Sequence, residues 1–221
     1  MTKSIIITAG GIGKRMGKNI PKQFIELKGL PILMHTIKRF YEYDNSIQIV
    51  VVLPKNHIAD WHQLIKKHQF KINHQIVEGG KERFDSIKNG LQITNADFIG
   101  VHDAVRPFVS VKVIDNCFKA LQHHQAVVPV ISLKESLREI NGAKSKSVDR
   151  NCFKIVQTPQ CFTKNVIQLA YQQNYSILFT DDASVVEQTG VKIHLVNGND
   201  ENIKITTPFD LKVANVIINQ L

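Results

Sequence analysis

The run Ser4-Ile5-Ile6-Ile7-Thr8-Ala9 passes straight into Gly10-Gly11-Ile12-Gly13-Lys14-Arg15-Met16-Gly17, and Pro21-Lys22-Gln23-Phe24 follows after a short gap. An apolar strand that ends in glycines and cations reads as a phosphate cradle. Glycines let backbone N–H groups approach a polyphosphate with no Cβ in the way, while Lys14, Arg15 and Lys22 supply positive charge. The plainer alternative is a glycine-rich turn joining a first strand to a helix. Two commoner glycine motifs do not fit. A Walker loop would need glycine where Thr8 stands and Ser or Thr where Arg15 stands. A dinucleotide fingerprint built on Gly11 and Gly13 would need its third glycine at Met16, but that glycine comes one residue late, at Gly17.

Outward from this stretch, strand-like and helix-like segments alternate. Ser4 to Ala9, Gln48 to Leu53, His74 to Val77, Asp97 to His102, Ala126 to Ile131 and Lys192 to Val196 are short apolar or β-branched runs bounded by turn residues. Helix-length stretches cover Leu33 to Tyr43, His57 to His68, Glu82 to Leu91, Val111 to Gln122, Lys164 to Tyr175, Asp182 to Thr189 and Pro208 to Asn219. A continuous run such as Ile49-Val50-Val51-Val52-Leu53 is apolar on both faces of a strand, which predicts an α/β fold with a mainly parallel sheet flanked by helices. Ser132 to Asn151 breaks the rhythm. Polar and apolar residues alternate there around Asn141-Gly142, which predicts a protruding β-arm. A two-stranded arm is marginal alone, so it calls for a partner surface, most simply a second copy of the chain; an ordinary surface hairpin is the alternative.

The 221 residues are 43% hydrophobic and no Ser/Gly/Pro linker divides them, so a single domain over 1–221 is expected. The net charge of +9 suits an anionic ligand. Nucleic acid is not expected, because Lys66, Lys67, Lys112, Lys144 and Lys146 are scattered without interleaved aromatics. Cys117, Cys152 and Cys161 form no CxxC pair, and the nine histidines show no metal-ligand spacing, which argues against structural zinc. The longest greasy runs are of strand length, so no membrane span is expected and the protein reads as soluble and cytoplasmic.

Three further blocks carry chemistry. His102-Asp103-Ala104-Val105-Arg106-Pro107 ends a strand, where ligands of open α/β sheets bind. Asp103 there is a candidate Mg²⁺ ligand, and Arg106 offers a bidentate fork to phosphate; a local Asp103–Arg106 ion pair is the alternative. Gly79-Gly80-Lys81-Glu82-Arg83-Phe84-Asp85-Ser86 opens a helix and places Arg83 and Ser86 toward a nucleotide base or ribose, unless the glycines simply cap the helix. Thr180-Asp181-Asp182-Ala183-Ser184 has an N-cap composition, and Lys204 precedes a helix that begins with Pro208.

Taken together, Ala9 to Met16, Pro21-Lys22-Gln23, Gly79 to Ser86, His102 to Pro107, Val148-Asp149-Arg150, Gln157-Thr158-Pro159-Gln160, Thr180 to Ser184 and Asn202 to Thr206 resemble the 2-C-methyl-D-erythritol 4-phosphate cytidylyltransferases of non-mevalonate isoprenoid synthesis. The resemblance spans nearly the whole chain. It implies a Rossmann-like nucleotidyltransferase fold, Mg²⁺, CTP as co-substrate, and a homodimer whose β-arms complete each other's substrate site. By position, it implies that Arg15, Lys22 and Lys204 stabilise the reacting phosphates and that Asp103 helps to hold the metal. Ala9, Gly10, Gly11, Ile12 and Gly13, with Gly80, Arg83 and Ser86, would hold the nucleotide. Asp103, Ala104, Arg106, Thr158 and Thr180, with Arg150 and Ser136 from the neighbouring arm, would contact the sugar phosphate.

The chain departs from the family pattern in the arm. The family's Asp-Thr pair follows its Pro-Val strand almost at once, whereas here Pro129-Val130 leads through Ile131-Ser132-Leu133-Lys134 to Glu135-Ser136. Aligning Ser136 with that threonine assumes a two-residue insertion. The implied reaction is attack of the acceptor's phosphate on the α-phosphorus of CTP, with release of pyrophosphate. No general base is needed, because a phosphate monoester with a second pKa of about 6 is already mostly dianionic at neutral pH. Two other readings stand beside it: a ribitol 5-phosphate cytidylyltransferase, whose family shares the glycine loop and Pro-Lys-Gln, and a non-catalytic nucleotide-binding module.

Overall fold

The computed structural model describes residues 1–10 and 20–220. Gly11 to Asn19, and with them the expectations placed on Gly11, Ile12, Gly13 and Arg15, lie outside the described residues.

The chain runs β1 (Lys3–Thr8), a 3-10 turn (Lys22–Phe24), β2 (Glu26–Leu27), β3 (Leu30–Pro31), α1 (Ile32–Tyr43), β4 (Gln48–Leu53), α2 (Lys55–Lys67), β5 (Gln75–Glu78), α3 (Arg83–Gln92), β6 (Phe98–Asp103), α4 (Val111–Ala120) and β7 (Ala126–Ser132). It continues with β8 (Leu137–Asn141), β9 (Lys144–Val148), β10 (Lys154–Val156), β11 (Gln160–Thr163), α5 (Lys164–Ala170), α6 (Asp182–Glu187), β12 (His194–Asn197) and α7 (Pro208–Gln220). Among the described residues, eight strands form one sheet. Across it the order is β12, β7, β11, β6, β1, β4, β5, with β10 continuing beside β7 beyond the end of β11. All neighbours are parallel except where β10 and β11 run against β7 and β6. The expected mainly parallel α/β sheet is present.

Alternation along β1 shows why it lies at the centre. Ile5 and Ile7 join one buried cluster with Leu33, Ile37 and Phe40 of α1, Trp61 of α2 and Phe118 of α4. Ile6 joins the opposite cluster with Ile87 and Leu91 of α3, Ile167 of α5 and Val186 of α6. Successive strand residues point to opposite faces, so a run of isoleucines is stable only when helices cover both. Gly90 lets α3 lie close on the sheet, since a Cβ there would stand 2.9 Å from Cγ2 of Ile6.

The topology reverses at β1. From β1 the chain winds through β4 to β5 on one side, then α3 returns it to β6 on the other. Such a reversal leaves a crevice at the carboxyl ends of the strands.

Three local outcomes differ from the sequence reading. The arm's two-residue turn is Gly142-Ala143, not Asn141-Gly142, because Asn141 pairs with Lys144. Gly142 takes φ +58° at the first turn position, as a type II′ hairpin requires. Helix α5 stops at Ala170, short of Tyr175, and Tyr171 turns inward to donate its hydroxyl to Asp182 at 2.5 Å. The reversed β10 and β11 were not expected, since Thr158-Pro159 interrupts the run and β10 is exposed throughout.

Candidate active site

The carboxyl ends of β1, β4, β5 and β6 converge on a cleft of about 300 Å³ among the described residues. Thr8 and Asp103, which end their strands, are register partners. Beyond Thr8, the Ala9 N–H donates to Val52 O at 2.9 Å and the Ala9 carbonyl accepts from Gln23 Nε2 at 2.7 Å. That second bond anchors the turn at Lys22–Phe24, whose Phe24 stacks on Trp61 at 5.8 Å. Buried Gln23 and Phe24 fix the turn, and Lys22 lines the cleft.

Asp103 is buried and holds two cations. Arg106 Nε donates to Oδ2 at 2.9 Å, and Lys204 Nζ sits 3.1 Å from each carboxylate oxygen. Burial pushes the Asp103 carboxyl upward, but Lys204, Arg106 and Arg83 outweigh it and hold the group well below the usual carboxylate range. Asp103 therefore stays ionised at neutral pH. His102, fully buried with Phe40 edge-on at 4.8 Å, has its pKa pulled down to about 4 by burial. Its Nε2 faces the Arg106 carbonyl at 3.1 Å and so carries the proton, which leaves Nδ1 to accept from Thr158 Oγ1 at 3.0 Å. Thr158 in turn accepts the Asp103 N–H at 3.2 Å, tying the end of β6 in place.

The opposite wall is the start of α3. Ser86 Oγ accepts the Gly80 N–H at 3.1 Å and donates to Glu82 O at 3.0 Å. A Cβ on Gly80 would stand 2.2 Å from Cβ of Asp85, so packing against α3 is what demands glycine there. Glu82, not a glycine, is the N-cap. Arg83 makes a two-pronged bond to fully buried Asp182, at 2.9 and 2.7 Å. Burial works against the guanidinium charge, but the adjacent Asp182 carboxylate outweighs it, so Arg83 stays cationic.

A family model for 2-C-methyl-D-erythritol 4-phosphate cytidylyltransferase matches residues 4–220. The cytidylyltransferase of that name from Phocaeicola vulgatus is 51% identical over 219 residues, covering 99% of this chain and 100% of its own. Its counterpart from Bacteroides thetaiotaomicron is 48% identical over the same span and coverage. Among solved structures, the 4-diphosphocytidyl-2C-methyl-D-erythritol synthase of Anaerococcus prevotii superposes with a TM-score of 0.84 at 28% identity, covering 99% of this chain and 96% of its own. The chain belongs to the 2-C-methyl-D-erythritol 4-phosphate cytidylyltransferase family. It is a cytidylyltransferase, and the family's reaction transfers CMP from CTP to 2-C-methyl-D-erythritol 4-phosphate.

Within this cytidylyltransferase, the cleft gathers Ala9, Gly10, Lys22, Gly80, Arg83, Ser86, Asp103, Ala104 and Lys204 from the sequence-predicted set. Arg106 and Thr158 stand behind Asp103, with Arg106 Nη1 also donating to Asn202 O at 2.8 Å. Thr180 precedes α6, its N–H bound to Ser184 Oγ at 3.1 Å. Ser136 and Arg150 belong to the arm region, where Arg150 donates to the Lys134 carbonyl. Sequence reasoning gave no role to Asp182, Tyr171, Gln157, Gln160 or Asn202. Gln157, Gln160, Asp182 and Asn202 stand inside the quoted motifs, but their partners Asn199, Asp181, Arg83 and Thr158 lie 21 to 99 residues away along the chain.

Proposed function

We propose that this cleft catalyses cytidylyl transfer from CTP to 2-C-methyl-D-erythritol 4-phosphate through charge neutralisation and positioning, with no proton-abstracting side chain. The observation that carries the reading is the convergence of Lys22, Lys204 and Asp103 with the Gly79–Ser86 wall on one crevice. Ala9, Gly10, Gly80, Arg83 and Ser86 hold the nucleotide, joined by Gly11, Ile12 and Gly13. Lys22, Lys204 and Arg15 meet the triphosphate and the incoming phosphate. Both reactants are anions, so these cations relieve repulsion on binding and bind the extra charge on phosphate oxygens at the transition state. Ala104, Arg106, Thr158 and Thr180, with Ser136 and Arg150 from a neighbouring arm, receive the polyol phosphate.

Asp103 fits Mg²⁺. It is an ionised oxygen donor on the cleft wall, and no cluster of three acidic, His or Cys ligands occurs among the described residues. That donor set suits a hard cation that takes one protein carboxylate and leaves its other positions to phosphate and water. Lys204, whose side chain is 43% exposed, has room to move from Asp103 to a phosphate. When bound, the metal supplies neutralisation of the triphosphate charge.

The arm is read as a dimerisation element. It is a two-stranded sheet by itself, and Ile140, Phe153 and Ile155 are exposed large apolar residues on it and beside it. A single unit over 1–221 and a cytoplasmic location complete the proposal; buried free Cys117 and Cys161 suit a reducing compartment. Among the described residues, no helix is long and apolar enough to cross a membrane.

The test is incubation of purified protein with CTP, Mg²⁺ and either 2-C-methyl-D-erythritol 4-phosphate or ribitol 5-phosphate, followed by pyrophosphate measurement. Release with the first polyol phosphate is expected. Release with ribitol 5-phosphate alone would overturn the acceptor assignment, and CTP binding with no release would favour a non-catalytic module. Sedimentation of the wild type and of a chain lacking the arm tests the dimer.

A further inference from the structure

Two buried glutamines, Gln157 just beyond β10 and Gln160 at the start of β11, reach opposite sides of the site. Gln157 is covered by the turn before Lys204. Its Nε2 donates to Asn199 O at 2.9 Å and Asn202 O at 3.5 Å, and its Oε1 accepts from Asn199 N at 3.3 Å and Asn202 Nδ2 at 3.4 Å. Asn202 O also takes the Arg106 bond at 2.8 Å, and two residues later Lys204 reaches Asp103. Gly198 leaves room for this amide, since a Cβ there would stand 2.3 Å from Gln157 Oε1.

Gln160 grips the start of α6. Its Nε2 donates to Asp181 Oδ2 and its Oε1 accepts the Ala183 N–H, both at 2.8 Å. Between those two residues lies Asp182, which bonds Arg83. In both glutamines each amide end faces groups of one kind, so the orientation of each side chain is fixed by its partners. Neither side chain lines the cleft among the described residues.

We propose that Gln157 and Gln160 are positioning residues for the transfer: Gln157 holds the turn that delivers Lys204, and Gln160 holds the helix start from which Asp182 aims Arg83. The inference rests on the site roles given above to Lys204 and Arg83. It separates the two glutamines by function. Lys204 faces the reacting phosphates, so loosening it slows the chemical step, whereas Arg83 faces the nucleotide, so loosening it weakens CTP binding.

The experiment is steady-state kinetics on the full chain with Gln157→Met and Gln160→Met, alongside Lys204→Met and Arg83→Lys. Gln157→Met is expected to lower kcat about tenfold or more with KM for CTP within about twofold, the scale for a small misplacement caused from outside the reacting centre. Gln160→Met is expected to do the reverse, raising KM for CTP about tenfold with kcat within about twofold. Unchanged parameters in both variants, or the same loss of kcat and KM in both, overturn the proposal. A donor–acceptor swap guards against misfolding. Gln160→Glu alone sets a carboxylate against Asp181, while Gln160→Glu with Asp181→Asn restores the bond in reverse and should return KM for CTP to within about threefold of wild type. No recovery overturns the Gln160 half. If Lys204→Met leaves kcat intact, or Arg83→Lys leaves KM for CTP intact, the site reading itself fails, however the glutamine variants behave.

Discussion

The cleft and the arm both carry paired charges, yet the pairs differ in kind. At the cleft, Asp103 on its wall and Asp182 behind Arg83 are buried, and each is bound to a guanidinium, from Arg106 and Arg83 respectively. On the arm, Lys146 and Glu139 lie 2.9 Å apart with side chains 72% and 56% exposed. Water screens the arm pair and does most of what its partner does, whereas a buried carboxylate that loses its partner keeps its desolvation cost. Similar distances therefore describe a buried, desolvated commitment in one place and solvated surface in the other.

The largest effects should come from removing the cations proposed to meet the phosphates. Lys22→Ala, Arg15→Ala and Lys204→Ala should each lower turnover by about 10² to 10³, the scale for losing one donor aimed at developing charge, read as pyrophosphate release. Near-normal turnover in all three would erase the contrast with the arm. Asp182→Asn should come next, costing about 3 kcal/mol in urea unfolding. That is the low end for breaking a buried pair, because the Arg83 side chain remains 38% exposed.

A smaller, pH-dependent effect belongs to Asp103. Its folded pKa is depressed, because the burial that would raise it is outweighed by Lys204, Arg106 and Arg83. Its contribution is thus full above the unfolded value of about 4 and is lost as pH falls through the lower folded value. Urea midpoints of metal-free wild type and Asp103→Asn should converge as pH drops below about 4, and a constant gap would contradict the assignment. Smallest of all, Lys146→Ala should change unfolding free energy by no more than about 0.5 kcal/mol, as an exposed arm pair does. A loss of several times that would mean the arm pair is covered, as a dimer contact could do.

Much of the fold was legible because burial on two faces leaves a mark in the residue order. Gln48 to Leu53 was placed to the residue, since a β-branched run between turn residues has few alternatives. The arm was legible from alternation, though its turn lay one residue further on. The reversed strands were not, because Lys154–Val156 and Gln160–Thr163 are too short for a period to show and Thr158-Pro159 separates them. Gly80 shows a subtler limit. It was assigned to the nucleotide, yet the nearest atom to an added Cβ belongs to Asp85 of α3, the helix that follows it. The amide roles of Gln157 and Gln160 had no periodic signal at all.

Residue order alone was enough for the alternation of strand and helix, the parallel sheet and the family. The alternation and the sheet follow from local propensity and from the two periods of side-chain direction, and the family from the resemblance that the quoted motifs carry. Which charges meet was settled only by folding the chain in space. Lys204 reaches Asp103 across 101 residues, and Arg83 reaches Asp182 across 99. Coulomb attraction and desolvation act over distance in space, and no pattern within a strand or helix records which distant carboxylate a cation will find.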